Sequence, residues 1–188
     1  MRIIAGDFKG RKLHTPIDRK IRPTAEKVKE AIFSMIERDL PEAVVVDLFC
    51  GTGGLGLEAL SRGAAKAYFG DRSKQSLGLA IQNAKCCGAE SRSVFLLGDW
   101  KTVLARIREP ADVILLDPPY ETGILNACLD HIEQMGSLAD GGVVVAEHPI
   151  TKAKTSDIPD MAAGWSILKQ KRYGDTGVTI YERQTEAK

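Results

Sequence analysis

Asp47-Leu48-Phe49-Cys50-Gly51-Thr52-Gly53-Gly54-Leu55-Gly56 is the stretch that decides the fold of this 188-residue chain. It follows Ala43-Val44-Val45-Val46, a β-branched run bounded by turn residues that reads as a short buried strand. A helical stretch reaching Arg62-Gly63 comes after it. Gly51 and Gly53 permit a tight turn and a close approach of the backbone to a ligand, and Gly56 permits close helix–sheet packing. Alone, such a glycine pattern is no more than a tight strand–helix connection. Here Asp71 stands 18 residues beyond Gly53, at the end of the next strand, where a carboxylate can accept both hydroxyls of a ribose. The pattern therefore points to a nucleoside-type cofactor.

Outward from this loop, strand and helix patterns alternate. Upstream, Pro23-Thr24 opens a helix with Ala25, Val28, Ile32 and Met35/Ile36 on one face, closed by Leu40-Pro41. Downstream, strands read at Lys66–Phe69, Val94–Leu97, Val113–Leu116 and Val143–Ala146. Helices read from Ser73 to about Cys87, from Trp100 to Arg108 and from Gly123 to Met135. Ser166–Arg172 and Val178–Glu182 read as a hairpin around Gly174-Asp175. Such alternation implies an α/β fold, a parallel sheet with helices on both faces and ligands at the carboxyl ends of its strands.

Composition bounds the answer. At 44% hydrophobic and 27% charged residues the chain has enough apolar surface to fold as one domain, and its net charge of +1 excludes a uniformly basic coat. No apolar run approaches a membrane span, and the opening Met1-Arg2-Ile3-Ile4-Ala5-Gly6-Asp7 breaks too early for a signal peptide, so a cytoplasmic protein without membrane contact is expected. Cys50, Cys86, Cys87 and Cys128 read as reduced, mostly buried thiols. His14, His131 and His148 lack metal-ligand spacing and read as surface or capping residues, so no metal is expected.

Asp47 narrows the cofactor. A carboxylate at the strand end would repel the pyrophosphate of a dinucleotide but suits a cation, such as the sulfonium and α-amino group of S-adenosyl-L-methionine. Asp99, after the third strand, can accept from the adenine amine, cap the helix starting at Trp100, or do both.

Asp117-Pro118-Pro119-Tyr120, at the end of the fourth strand, is the most informative motif. Two prolines stiffen the backbone and present carbonyls without neighbouring N–H donors. With the Asp117 carboxylate and the Tyr120 ring they suit a planar group bearing an exocyclic amine. Hydrogen bonds from that amine to Asp117 and the Pro118 carbonyl localise its lone pair, and Tyr120 stacks on the ring. The positive charge is already on the cofactor, so the protein's part is positioning and electrostatics. The alternative, a proline-rich strand terminator with a capping Asp, does not account for the glycine loop at a neighbouring strand end.

The two motifs together resemble S-adenosylmethionine-dependent amino-methyltransferases. Met1–Gly6, Lys9-Gly10-Arg11-Lys12-Leu13, Arg22-Pro23-Thr24, Glu30–Phe33, Leu57–Ala64 and Tyr173–Thr176 extend the resemblance nearly end to end, to the RsmD family. It implies a Rossmann-like class I methyltransferase fold: a mostly parallel seven-stranded sheet, a C-terminal antiparallel hairpin and a small N-terminal β-hairpin extension over residues 1–22, with the transfer domain at 23–188. It further implies methyl transfer to the exocyclic N2 of a guanine in bacterial 16S rRNA, within the assembling 30S subunit, by a monomer. Asp117, Pro118, Pro119 and Tyr120 would form the catalytic pocket. Asp47, Phe49, Gly51, Thr52, Gly53, Asp71, Arg72, Asp99 and Trp100 would hold the cofactor. The family pattern has Glu where this chain has Asp71, and more often Ala at Cys50.

Residues 1–30 carry nine basic side chains against four acids, a net +5 that leaves −4 for the rest. A solvated hairpin explains this as well as RNA does. The resemblance favours RNA, with Arg2, Lys9, Arg11, Lys12, Arg22 and Thr24 as contacts. Phe8 suits either base stacking or the core. Three other readings stand beside this one: a DNA adenine-N6 methyltransferase, since the pocket does not distinguish exocyclic amines; a non-catalytic ribosome-assembly factor that binds RNA; and a nicotinamide-dependent oxidoreductase.

Overall fold

A computed structural model describes residues 1–16, 23–119, 123–150 and 164–184. In chain order the elements are α1 (Pro23–Met35), β1 (Val44–Asp47), α2 (Gly54–Ser61), β2 (Lys66–Asp71), α3 (Lys74–Cys87), β3 (Ser93–Leu97), α4 (Trp100–Arg106), β4 (Ala111–Leu116), α5 (Ile124–Met135), β5 (Leu138–Pro149), β6 (Trp165–Tyr173) and β7 (Thr176–Arg183). The seven strands form one sheet in the order β3-β2-β1-β4-β5-β7-β6. β1 to β5 are parallel, and β7 pairs antiparallel with both β5 and β6. The expected Rossmann-like sheet with its C-terminal hairpin is thus present. Strand order reverses between β1 and β4, where such sheets open a crevice.

Alternation along the strands sorts the core into two layers. Val45, Phe69, Val113, Leu115, Val143, Val145 and Ile180 pack on one face with α1, α2 and α3. Val46, Ile114, Leu116, Val144 and Tyr181 pack on the other with α4 and α5. β5 is longer than its apolar run predicts. It pairs from Leu138 to Pro149, with a register shift opposite Ala111–Val113. Asp140-Gly141-Gly142 forms this irregularity inside the strand, with Gly141 at φ +75°.

The N-terminal segment folds back on itself and packs against the body of the protein. A single antiparallel bridge joins Arg2 and Lys12, supported by Ile3 N–H to the Arg11 carbonyl at 3.0 Å and Leu13 N–H to the Met1 carbonyl at 2.9 Å. Ile3, Phe8 and Leu13 are buried in the core. Glu58 of α2, fully buried, anchors the segment. Its carboxylate accepts from the N–H groups of Ile4 (2.8 Å) and Ala5 (3.0 Å), and pairs with Lys29 Nζ (2.9 Å) and Arg62 Nε (3.0 Å). Burial holds the Lys29 ammonium below its ordinary pKa despite the opposing pull of Glu58.

Removing one member of a buried, hydrogen-bonded charge group leaves its partners uncompensated. Glu58→Ala is therefore expected to cost about 3–5 kcal/mol in urea denaturation and to expose residues 1–16 to limited proteolysis. A loss below about 1 kcal/mol, the range of an exposed ion pair, would contradict this account.

Candidate functional site

Four carboxylates stand at the carboxyl ends of four adjacent strands, β2-β1-β4-β5: Asp71, Asp47, Asp117 and Glu147. Register places them on one face. Asp47 pairs with Phe69 and with Leu115, and Leu115 pairs with Val145. Asp71, Asp117 and Glu147 each lie two residues beyond one of these partners, on the same side of the pleat.

Asp47 is 1% exposed. Its Oδ2 accepts from the N–H of Gly56 at 2.9 Å, while Oδ1 is buried without a hydrogen-bond partner among the described residues. Burial pushes the carboxyl up to about 7; the Gly56 bond opposes the rise and the charges of Asp117 and Asp71 add to it. A buried acceptor left open beside further acids calls for a donor that is also cationic. A sulfonium bearing an α-amino group fits, whereas a pyrophosphate does not.

The glycine loop is held in place by side chains around it. Asp71 Oδ2 accepts from Gly51 N–H at 2.9 Å, and its Oδ1 from Ser73 N–H at 2.7 Å. Each oxygen keeps a lone pair for a further donor such as a ribose hydroxyl. Gly51 and Gly53 take φ +52° and +79°. A Cβ on Gly56 would lie 2.4 Å from Phe69 Cε1, so α2 rests directly on β2. Asn83, buried on α3, donates to the Thr52 carbonyl at 2.9 Å. The same amide pairs with the backbone of His14, accepting its N–H at 2.7 Å and donating to its carbonyl at 3.0 Å.

Beyond β4, Asp117 is exposed, Pro118 buried and Pro119 exposed; Tyr120 lies outside the described residues. Sequence reasoning missed Glu147. Leu116 pairs with Ala146, so Asp117 and Glu147 are the next residues on neighbouring strands. Burial raises Glu147 to about 7 and the charge of Asp117 adds to the rise. Its signal was an acid directly after the buried run Val143–Ala146, where the sequence reading ended the strand.

Other expected site residues serve the scaffold as well. Asp99 caps α4, accepting from Thr102 N–H (3.0 Å) and Thr102 Oγ1 (2.9 Å), which lowers its carboxyl pKa. Trp100 and Phe49 pack against the α4–α5 layer, Trp100 with its ring edge-on to His131. Arg72 is exposed. Arg11 donates from Nη1 to the Cys86 carbonyl near the C-terminus of α3, and Arg2 lies 3.5 Å from Glu26. Lys9 and Lys12 are exposed; Arg22 lies outside the described residues, and Thr24 is placed in α1 by its backbone. Phe8 proves to be a core residue, beneath the Arg92 guanidinium. Cys86 is exposed while Cys50, Cys87 and Cys128 are buried. His148, expected at the surface or at a cap, is instead buried over Gly177, with Nε2 2.9 Å from Thr179 Oγ1. Among the described residues no cluster of three or more His, Cys, Asp or Glu could hold a metal, and no helix is long and apolar enough to cross a membrane.

Comparison with known proteins matches this geometry to a family. The family model described as conserved hypothetical protein 95 matches residues 1–182. The Bacillus subtilis (strain 168) protein YlbH is 36% identical over 187 residues, covering 98% of this chain and 100% of the relative. Ribosomal RNA small subunit methyltransferase D of Escherichia coli (strain K12) is 31% identical over 186 residues, covering 99% and 91%. A solved structure of Escherichia coli yhhF superposes with a TM-score of 0.85 at 30% identity, covering 99% of each chain.

The raised Asp47 carboxyl carries a pH signature. Its folded pKa, about 7, exceeds the ordinary 3.8, so the native state holds the proton more tightly than the unfolded chain. The stability this contributes is complete below about pH 4 and is lost as pH rises through about 7. Asp47→Asn keeps an acceptor for Gly56. The variant is expected to gain on the wild type by on the order of 2–4 kcal/mol between pH 5 and pH 8 in urea denaturation. Parallel pH curves would refute the assignment.

Proposed function

The chain belongs to the conserved hypothetical protein 95 family, the RsmD family, and from that membership and the site geometry we propose that it transfers a methyl group from S-adenosyl-L-methionine to the exocyclic N2 of a guanine in small-subunit (16S) ribosomal RNA. The observation that carries the reading is the placement of Asp47 and Asp117 on one face at the strand-order reversal between β1 and β4. One acid faces the cation and the other the amine.

When bound, the cofactor supplies an electrophilic methyl on a positively charged sulfur. Asp47 Oδ1 receives its amino group, the Asp71 carboxylate takes ribose hydroxyls, and Asp99, while capping α4, keeps acceptor capacity for the adenine edge. Asp117 and the Pro118 carbonyl accept the two N–H groups of the guanine amine. That withdraws its lone pair from the ring and turns it toward the methyl. Pro119 offers no competing N–H, and Tyr120 stacks on the base. Forming the N–C bond would break the methyl–sulfur bond, its electron pair returning to sulfur as a neutral thioether. The methylated amine would then have a proton to lose, which the adjacent carboxylates of Asp117 and Glu147 are placed to take. In the N-terminal segment Lys9 and Lys12, with Arg2, contact phosphates. Arg11 divides its role between them and α3, and Arg22 and Thr24 complete the set. The substrate is the RNA as held in the 30S particle or its assembly intermediate.

The test is transfer of labelled methyl to 30S particles lacking the modification. Wild type is expected to label 16S rRNA. Asp117→Ala is expected to lose at least about a hundredfold in rate, with cofactor affinity by calorimetry within a few-fold of wild type. Full activity in Asp117→Ala, or labelling of duplex DNA in place of the particle, would overturn the proposal.

A further inference from the structure

The far edge of the sheet carries a feature that the reading above does not use. β6 is the terminal strand, and pairing through β7 makes it run in the same direction as β1 to β5. Its C-terminal end therefore lies at the same end of the sheet as the catalytic carboxylates. Lys171 pairs with Val178, Val178 with Glu147, and Glu147 adjoins Asp117 one step past the Leu116–Ala146 pair. These four residues form a single cross-strand row on one face. Three strand spacings put Lys171 about 14 Å from Asp117 along it. Arg172, next in the strand, projects from the opposite face.

β6 holds three cationic residues and no acid. Lys169 donates from Nζ to the Met35 carbonyl at 2.9 Å, closing the C-terminus of α1. Lys171 is exposed with no hydrogen-bond or ion-pair partner among the described residues. Arg172, also exposed, uses only Nε, bonded to the Gly174 carbonyl at 2.8 Å. Asp175, in the turn beyond, is the nearby acid. Charge on an edge strand also blocks edge-to-edge pairing. In that role it would cover the apolar part of β6, yet Leu168 lies there 46% exposed while Lys171 and Arg172 gather at the catalytic end.

We propose that Lys171 and Arg172 form a second phosphate-binding surface for the RNA substrate, across the amine pocket from the N-terminal segment. That segment docks on α2 and α3, in the half of the sheet ordered β1-β2-β3, whereas β6 closes the other half. An RNA chain entering the pocket from either direction would meet a basic surface on each flank, with the acidic mouth admitting only the base. This rests on the reading that the substrate is ribosomal RNA.

The test uses the full chain and 30S particles lacking the modification. The Lys171→Glu/Arg172→Glu variant is expected to raise KM for particles about tenfold or more. The milder Lys171→Gln/Arg172→Gln variant should raise it about threefold and make the log–log salt dependence shallower by about 1.4, for two lost contacts to single-stranded RNA. Both should bind S-adenosyl-L-methionine like the wild type, which reports intact folding. An unchanged KM and salt slope with cofactor binding intact would overturn the inference. So would variants that self-associate in sedimentation while KM stays at the wild-type value, the signature of an edge guard. If the wild type transfers no methyl at all, it is the parent reading that fails. Affinities of wild type and glutamine variant for a single-stranded RNA oligonucleotide across a salt series then decide the surface alone, and equal affinities would refute it.

Discussion

The hydrogen bond from Gly56 N–H to the buried carboxylate of Asp47 is the constraint on which the rest of the structure depends. It ties the end of β1 to the first turn of α2 and so sets the path of the glycine loop between them. That path requires left-handed backbone at Gly51 and Gly53 and contact between Gly56 and Phe69. It also leaves the second oxygen of Asp47 enclosed with no hydrogen-bond partner among the described residues, an acceptor whose burial a cationic donor would offset.

The same short helix is held from its other side. Two residues beyond Gly56, Glu58 gathers Lys29, Arg62 and two N-terminal amides into one buried cluster. Asn83 then joins the backbone of His14 to the carbonyl of Thr52. Through these two nodes the basic N-terminal segment and the cofactor loop become one packed unit. The segment and the loop therefore share their supports.

Much of this was legible in the sequence. The strands announced themselves because buried parallel strands are β-branched runs, and the loop because Gly51, Gly53 and Gly56 serve needs that other residues cannot meet. The Asp99 cap was legible from its position before Trp100. The failures have physical reasons. Glu58 has the look of a solvent-facing helix acid, since its cationic partners come from elsewhere in the chain or a helical turn away. Phe8 left base stacking and the core equally open, because its neighbours are charged, and the fold buries its ring. Arg11 resembles its neighbours Lys9 and Lys12, and only the fold shows it closing α3. Glu147 was hidden because β5 continues through His148 and Pro149, pairing that depends on β7, some thirty residues later in the chain.

The central claim is that this site methylates one guanine amine of small-subunit ribosomal RNA. The most direct measurement is mapping of methylated nucleotides in 16S rRNA from cells with and without the gene. The account predicts that a single N2-methylguanosine disappears on deletion and returns with the wild-type chain but not with Asp117→Ala. An unchanged set of guanine methyl groups on deletion, or full restoration by Asp117→Ala, would contradict it.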